Sequence, residues 1–117
     1  MSAATSPATF HYVVRCTFSA EAADLAVEWL DWLTDGHLAD VLAAGALSAD
    51  VIRVSGPELR YEVHYRFADS KSFAQYERDH AHRLRAEGLA RFPPERGLHY
   101  ERWTGDLIAR QARASAT

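Results

Sequence analysis

A single cysteine in 117 residues leaves no intramolecular disulfide, so the fold rests on its apolar core alone. No apolar run approaches the length of a bilayer span, and Met1–Thr9 carries neither the basic start nor the long apolar stretch of a secretory leader. A cytoplasmic location and no membrane partner are expected on that ground. Excess positive charge is also missing. The formal net charge of −3 gives no general attraction to nucleic-acid backbones or anionic lipid. Glycine-rich phosphate loops, nucleophile elbows and Cys–His arrangements with local support are absent, and no cofactor is expected. Internal repeats and low-complexity segments are absent too.

What is present is 48% apolar and 25% charged residues, the balance of one ordinary domain. It is expected over residues 10–108, with flexible tails at 1–9 and 109–117. Phe10–Phe18 alternates, with Tyr12, Val14, Cys16 and Phe18 on one face, which reads as a half-buried strand with an inert, packed Cys16. Ser19 offers a hydroxyl N-cap to a helix running to about Gly36. Ala22, Leu25, Ala26, Trp29, Trp32 and Leu33 form its apolar stripe. A short helix over His37–Ala44 follows, with Gly45 where a left-handed cap belongs. Ala46–Ser55 and Arg60–Phe67 read as a hairpin about Gly56-Pro57-Glu58. Tyr61, Val63, Tyr65 and Phe67 share one face of its second strand, and Arg60, Glu62, His64 and Arg66 the other. Asp69 or Ser70 caps a long helix from about Lys71 to Phe92, stopped by Pro93-Pro94. Its inward arc holds Phe73, Tyr76, His80, Leu84 and Gly88. Leu98–Ile108 supplies a last strand.

This order predicts an α+β, ferredoxin-like β-α-β-β-α-β sandwich: a four-stranded antiparallel sheet with two helices on one face. The open face then carries Arg15, Glu62, His64, Arg66, Glu101 and Trp103. That mixture is too charged for a dry core yet includes a large aromatic, so either solvent or a second copy of the sheet covers it, and a homodimer joined through the sheet face is the expectation. RNA-binding domains of the same order show stacking aromatics on the open face. Here Tyr12, Tyr61 and Tyr65 fall on the helix side instead, so no nucleic-acid partner is expected.

His37 and His80 are the candidate catalytic residues. His80, on the inward arc, reads either as a buried base or ligand-orienting group, or as a structural imidazole bonded to a carbonyl, Tyr65 or Tyr12. His37 with Asp40 three residues on reads either as an acid–base pair or as a local capping pair. Trp29 and Trp32 offer flat apolar surfaces for a ligand or for the core. Tyr65 and Tyr76 complete the expected ligand-binding set, with Arg83 as a holder of carboxylate or a partner of Asp79 or Glu87. No metal is expected, because no two of the six histidines have ligand spacing. His80 and His82 point to different helix faces, and His11 and His99 lie at opposite ends of the sheet.

The strings Trp29-Leu30-Asp31-Trp32-Leu33, His37-Leu38-Ala39-Asp40-Val41-Leu42, Tyr76-Glu77, His80-Ala81, Arg83-Leu84-Arg85 and Leu89-Ala90-Arg91-Phe92 together make the chain similar to a small bacterial family. That family is DUF4286, a domain of unknown function in the ferredoxin-like dimeric α/β-barrel superfamily, and the resemblance covers about Tyr12 to Ile108. It implies the fold and a dimer but no established reaction. More distantly, an aromatic first helix ending in a histidine resembles cofactor-independent monooxygenases of the same barrel group. The chain departs from its closer relatives at Ala39 and His82, where prolines are expected, and at Gly88, where a histidine is common. The leading expectation is a dimeric module binding an apolar or aromatic small molecule between sheet and helices, lined by Trp29, Trp32, Tyr65, His37 and His80. Whether it is an enzyme stays open. The alternatives are a cofactor-independent monooxygenase- or isomerase-like enzyme and a non-catalytic dimerisation or interaction domain.

Overall fold

The side-chain alternation that marks the strands also decides which face carries the helices. A computed structural model describes residues 8–114. Strands β1 (Phe10–Phe18), β2 (Ser48–Arg53), β3 (Leu59–Phe67) and β4 (Leu98–Asp106) form one sheet in the order β2-β3-β1-β4, with every neighbouring pair antiparallel. The helical segments are α1 (Ala23–Trp32), α2 (Leu38–Ala43), α3 (Ser70–Tyr76) and α4 (His82–Arg91). α1 and α2 match the expected helix to Gly36 and the short helix after it, whereas the one long helix expected from Lys71 to Phe92 is the pair α3 and α4, and the order is the ferredoxin-like one. Among the described residues, no helix is long and apolar enough to cross a membrane.

β1 pairs Phe10 with Phe67, Tyr12 with Tyr65, Val14 with Val63 and Cys16 with Tyr61. Directly opposed residues share a face, so the tyrosines and aliphatics of both strands form one surface. The helices cover it. Trp29 meets Phe18 edge-on at 5.5 Å and Tyr61 at 6.0 Å, and Tyr76 lies 5.3 Å from Phe67 and 6.3 Å from Tyr12. Phe67, Cys16 and Val63 are buried at its centre, each large apolar side chain there contributing roughly 1.5–3 kcal/mol. Burial also pushes the Cys16 thiol up to about 12, so it stays protonated and unreactive at neutral pH.

The same register sets β4. Leu98, Tyr100 and Arg102 oppose Phe18, Cys16 and Val14 and face the helices, while His99, Glu101 and Trp103 face away. On that open face Arg15 bonds Glu62 at 2.6 Å, and His64 meets the same carboxylate at 2.8 Å. Burial works against the charge on Glu62, but the bonds from Arg15 and His64 outweigh it and hold its carboxyl below the ordinary range. The Arg15 guanidinium also lies over the Trp103 ring at 5.2 Å.

Local punctuation follows the sequence in part. Asp69 caps α3 by accepting from the Ser72 amide at 2.8 Å, and Gly45 takes the positive φ of 134° that closes α2. Ser19 is not an N-cap. Its carbonyl accepts from Ala22 in a turn, its amide donates to Gly97 at 2.8 Å, and α1 starts only after Ala22 with no side-chain cap. Tying β1 to the loop before β4 takes Ser19 out of helix range. Of the expected tails, residues 1–7 and 115–117 lie outside the described residues. Thr9 is tied to the sheet, donating to Ala68 and accepting from Leu107 at 2.7 Å.

Candidate ligand-binding cleft

Between sheet and helices the core does not close completely. Trp29 and Trp32 of α1, His37 before α2, Tyr12, Val63 and Tyr65 of the sheet, and Tyr76, Leu84, Arg85 and Gly88 of the second helical pair surround a cleft, with Arg102 of β4 at one edge. Its interior holds about 50 Å³, and about 510 Å³ with the open mouth included. β4 leaves its edge open, passing from apolar Leu98 and Tyr100 to Arg102, while α4 presents Gly88, which has no side chain. The Trp32 indole takes the space over Gly88. A Cβ there would sit 3.1 Å from Trp32 Cη2, closer than side chains normally approach.

His37 closes the cleft beside Trp32. The two rings stack with centroids 4.1 Å apart and planes 22° from parallel. His37 Nδ1 is buried with no protein partner, and burial lowers the imidazole pKa to about 4 against the opposing pull of Asp40. On its other side the Trp32–His37 pair lines an open, mainly acidic basin of about 730 Å³ with Glu28, Asp31, Asp35, Asp40 and Glu87, and one arginine, Arg91. These two rings therefore form the wall between an apolar cleft and an acidic surface. Asp40 stands on the basin side of that wall.

The structure brings Trp29, Trp32, Tyr65, Tyr76 and His37 to the cleft and leaves His80, Arg83 and Asp40 out of it. The expectation that His80 faces inward is corrected by a π turn over Glu77–Ala81. A regular helix puts Tyr76 and His80 on one face, but the wider turn spends five residues on that return, so Ala81 is buried and His80 turns outward. His80 Nδ1 there meets the Arg83 guanidinium at 3.3 Å, with Arg83 itself exposed. Neither the carbonyl nor the tyrosine partners expected for His80 is found.

Three polar residues on the cleft were missed. Arg85, brought in by the same π turn, bonds the Glu77 carboxylate and donates to the Tyr12 hydroxyl at 2.9 Å. The sequence carries no signal for a π turn, so Arg85 was not findable. Tyr12 and Arg102 were findable, since strand alternation puts both on the helix side. Burial, reinforced by the other tyrosines, raises the phenol pKa values of Tyr65 and Tyr76, that of Tyr76 to about 12. Both stay protonated and can donate to a ligand. Among the described residues, no group of three or more His, Cys, Asp or Glu is placed to hold a metal ion.

Residues 10–98, the whole of the sheet-and-helix core up to the start of β4, match the family described as Domain of unknown function (DUF4286). The chain belongs to that family. Among curated proteins no sequence matches it. Solved structures place this DUF4286 chain in its fold class. A dimeric ferredoxin-like protein from an uncultured marine organism is 14% identical, with a TM-score of 0.60 over 90% of this chain and 100% of that one. A protein of unknown function from Nitrosomonas europaea is 16% identical, with a TM-score of 0.63 over 95% and 100%. A monooxygenase of Streptomyces coelicolor, solved with the ligand nanaomycin D, is 15% identical, with a TM-score of 0.68 over 92% and 94%. At such identities the likeness of the DUF4286 chain to these proteins is one of fold.

Proposed function

We propose that this chain is a small-molecule-binding module that takes the ring of an apolar or aromatic compound in the cleft, and that it works as a homodimer through the open sheet face. The observation carrying the binding reading is the unfilled seam bounded by Trp29, Trp32 and Tyr65 beside otherwise buried core side chains. Interiors normally pack without such gaps, and pockets for small molecules combine apolar walls with a few polar groups, here two phenols and an imidazole. An apolar hole that admits benzene is about 150 Å³. A ring therefore uses the mouth beside the exposed Leu89, or displaces the Trp32 indole. Calorimetric titration with naphthylmethanol should show saturable binding at one site per chain. Leu89→Trp, a bulky ring at an exposed rim position, should weaken it at least tenfold without lowering the Tm. No saturable heat, or equal affinity in the variant, refutes the reading and leaves the interaction-domain alternative.

The dimer rests on Ile52 and Trp103, 44% and 43% exposed on the face away from the helices, and is in keeping with the dimeric marine protein of the same fold. Sedimentation should give twice the chain mass, and Trp103→Lys the mass of a single chain. A monomeric wild-type chain ends the dimer reading.

Proton abstraction by His37 is the second reading, favoured by its buried, unpartnered Nδ1. A pKa near 4 keeps the imidazole unprotonated at pH 7 but weakly basic, whereas a general base works best near the operating pH. Binding therefore ranks first.

A further inference from the structure

We propose that the ligand of this cleft is an aromatic or alicyclic carboxylate whose carboxyl group is held by Arg102; the inference rests on the binding reading above and names its ligand class. Arg102 sits where the helix side of β4 would otherwise continue the apolar series Leu98, Tyr100. It lines the edge of the cleft and also the groove that leads out from it past Tyr12, Phe73 and Glu77. Its guanidinium lies over the Tyr100 ring at 5.4 Å, and Tyr100 is itself part of the cleft wall. The charge is thus held at the mouth by a cation–π contact.

The charge balance of that groove leaves a place for an anion. Two guanidiniums, Arg85 and Arg102, stand beside one carboxylate, Glu77. Glu77 is engaged by Arg85, whose second contact is the Tyr12 hydroxyl. Arg102 has no carboxylate within ion-pairing distance among the described residues. Its field reaches inward, opposing the rise in the phenol pKa values of Tyr65, Tyr76 and Tyr100. A planar guanidinium matches a carboxylate with two parallel hydrogen bonds, a geometry that neither a neutral ring nor a cation can use. The ring of the ligand then points inward to the tryptophans, and the carboxylate stays at the wet edge, where its desolvation is incomplete and cheap.

The test compares two probes with the same ring, naphthoate and naphthylmethanol, by calorimetry at pH 7.5 on the wild-type chain, Arg102→Gln and Arg85→Gln. Naphthoate should bind the wild type about tenfold more tightly than the alcohol. Arg102→Gln should erase that preference, bringing naphthoate down to the affinity that the alcohol shows for the same variant. Arg102 is exposed, so the variant should keep its Tm. Equal affinity of the two probes for the wild type overturns the carboxylate assignment while the binding reading stands. A preference that survives Arg102→Gln but vanishes in Arg85→Gln overturns it in favour of Arg85, and one that survives both overturns it outright. Binding of neither probe overturns both inferences together.

Discussion

Trp29→Ala is expected to lower the unfolding free energy by about 3–5 kcal/mol. Its indole is 2% exposed and is the largest fully buried side chain, wedged between Phe18 and Tyr61 where α1 meets the sheet. Paired strands lie on one side and α1 on the other, so the hole can collapse only in part. A domain of this size has about 5–15 kcal/mol in total, so the variant should melt near the growth temperature or fail to fold. Trp32→Ala is the contrast. That ring is only half-buried, with one side toward the acidic basin, and its loss should cost roughly 1–2 kcal/mol. Urea denaturation of the two variants gives the comparison directly. Equal losses would mean that both tryptophans are core, and the cleft would lose its movable wall.

That difference between the tryptophans was not legible in the sequence, although most of the fold was. Alternation in Phe10–Phe18 and Leu59–Phe67 fixes which residues meet the helices, because a strand has only two faces and only one of them is apolar here. The register of β1 with β3 and β4 then follows from matching those faces. Helical phase is less forgiving. The stripe Trp29, Trp32, Leu33 holds through α1, and the break expected at Gly36 is present as a kink (φ 164°, ψ −35°) after which α2 begins; what the stripe does not show is that His37 turns back there onto Trp32. In the second helical pair one extra residue in a π turn exchanges His80 for Ala81 and brings Arg85 to the cleft. Hydrophobic periodicity cannot reveal it, since Tyr76, Leu84 and Gly88 suit a regular helix as well. Arg102 is a different case. Its inward placement follows from the alternation that puts Glu101 and Trp103 outside, but a charged residue on the apolar side of an edge strand invites no attention until the cleft beside it is visible.

Stability should fall by about 2 kcal/mol between pH 7 and pH 5 because of His37. The sign follows from which state binds the proton. Burial lowers the folded pKa to about 4 from the ordinary imidazole value of 6.5, so in that window the unfolded chain takes up a proton that the folded chain refuses. The stabilisation is complete above about pH 6.5, drains away as pH falls, and stops changing below about pH 4. Asp40 already opposes the shift, so Asp40→Asn should lower the folded pKa further and steepen the loss. His37→Gln removes the titrating group and should flatten the profile, whatever it costs in absolute Tm. Denaturant midpoints measured across pH 4–8 test both. A slope unchanged by His37→Gln would transfer the effect to His11, whose pKa burial also lowers and whose Nε2 lacks a partner on the open sheet face. The acid sensitivity would then belong to the proposed dimer surface, and His37 would lose its standing as the neutral wall of the cleft.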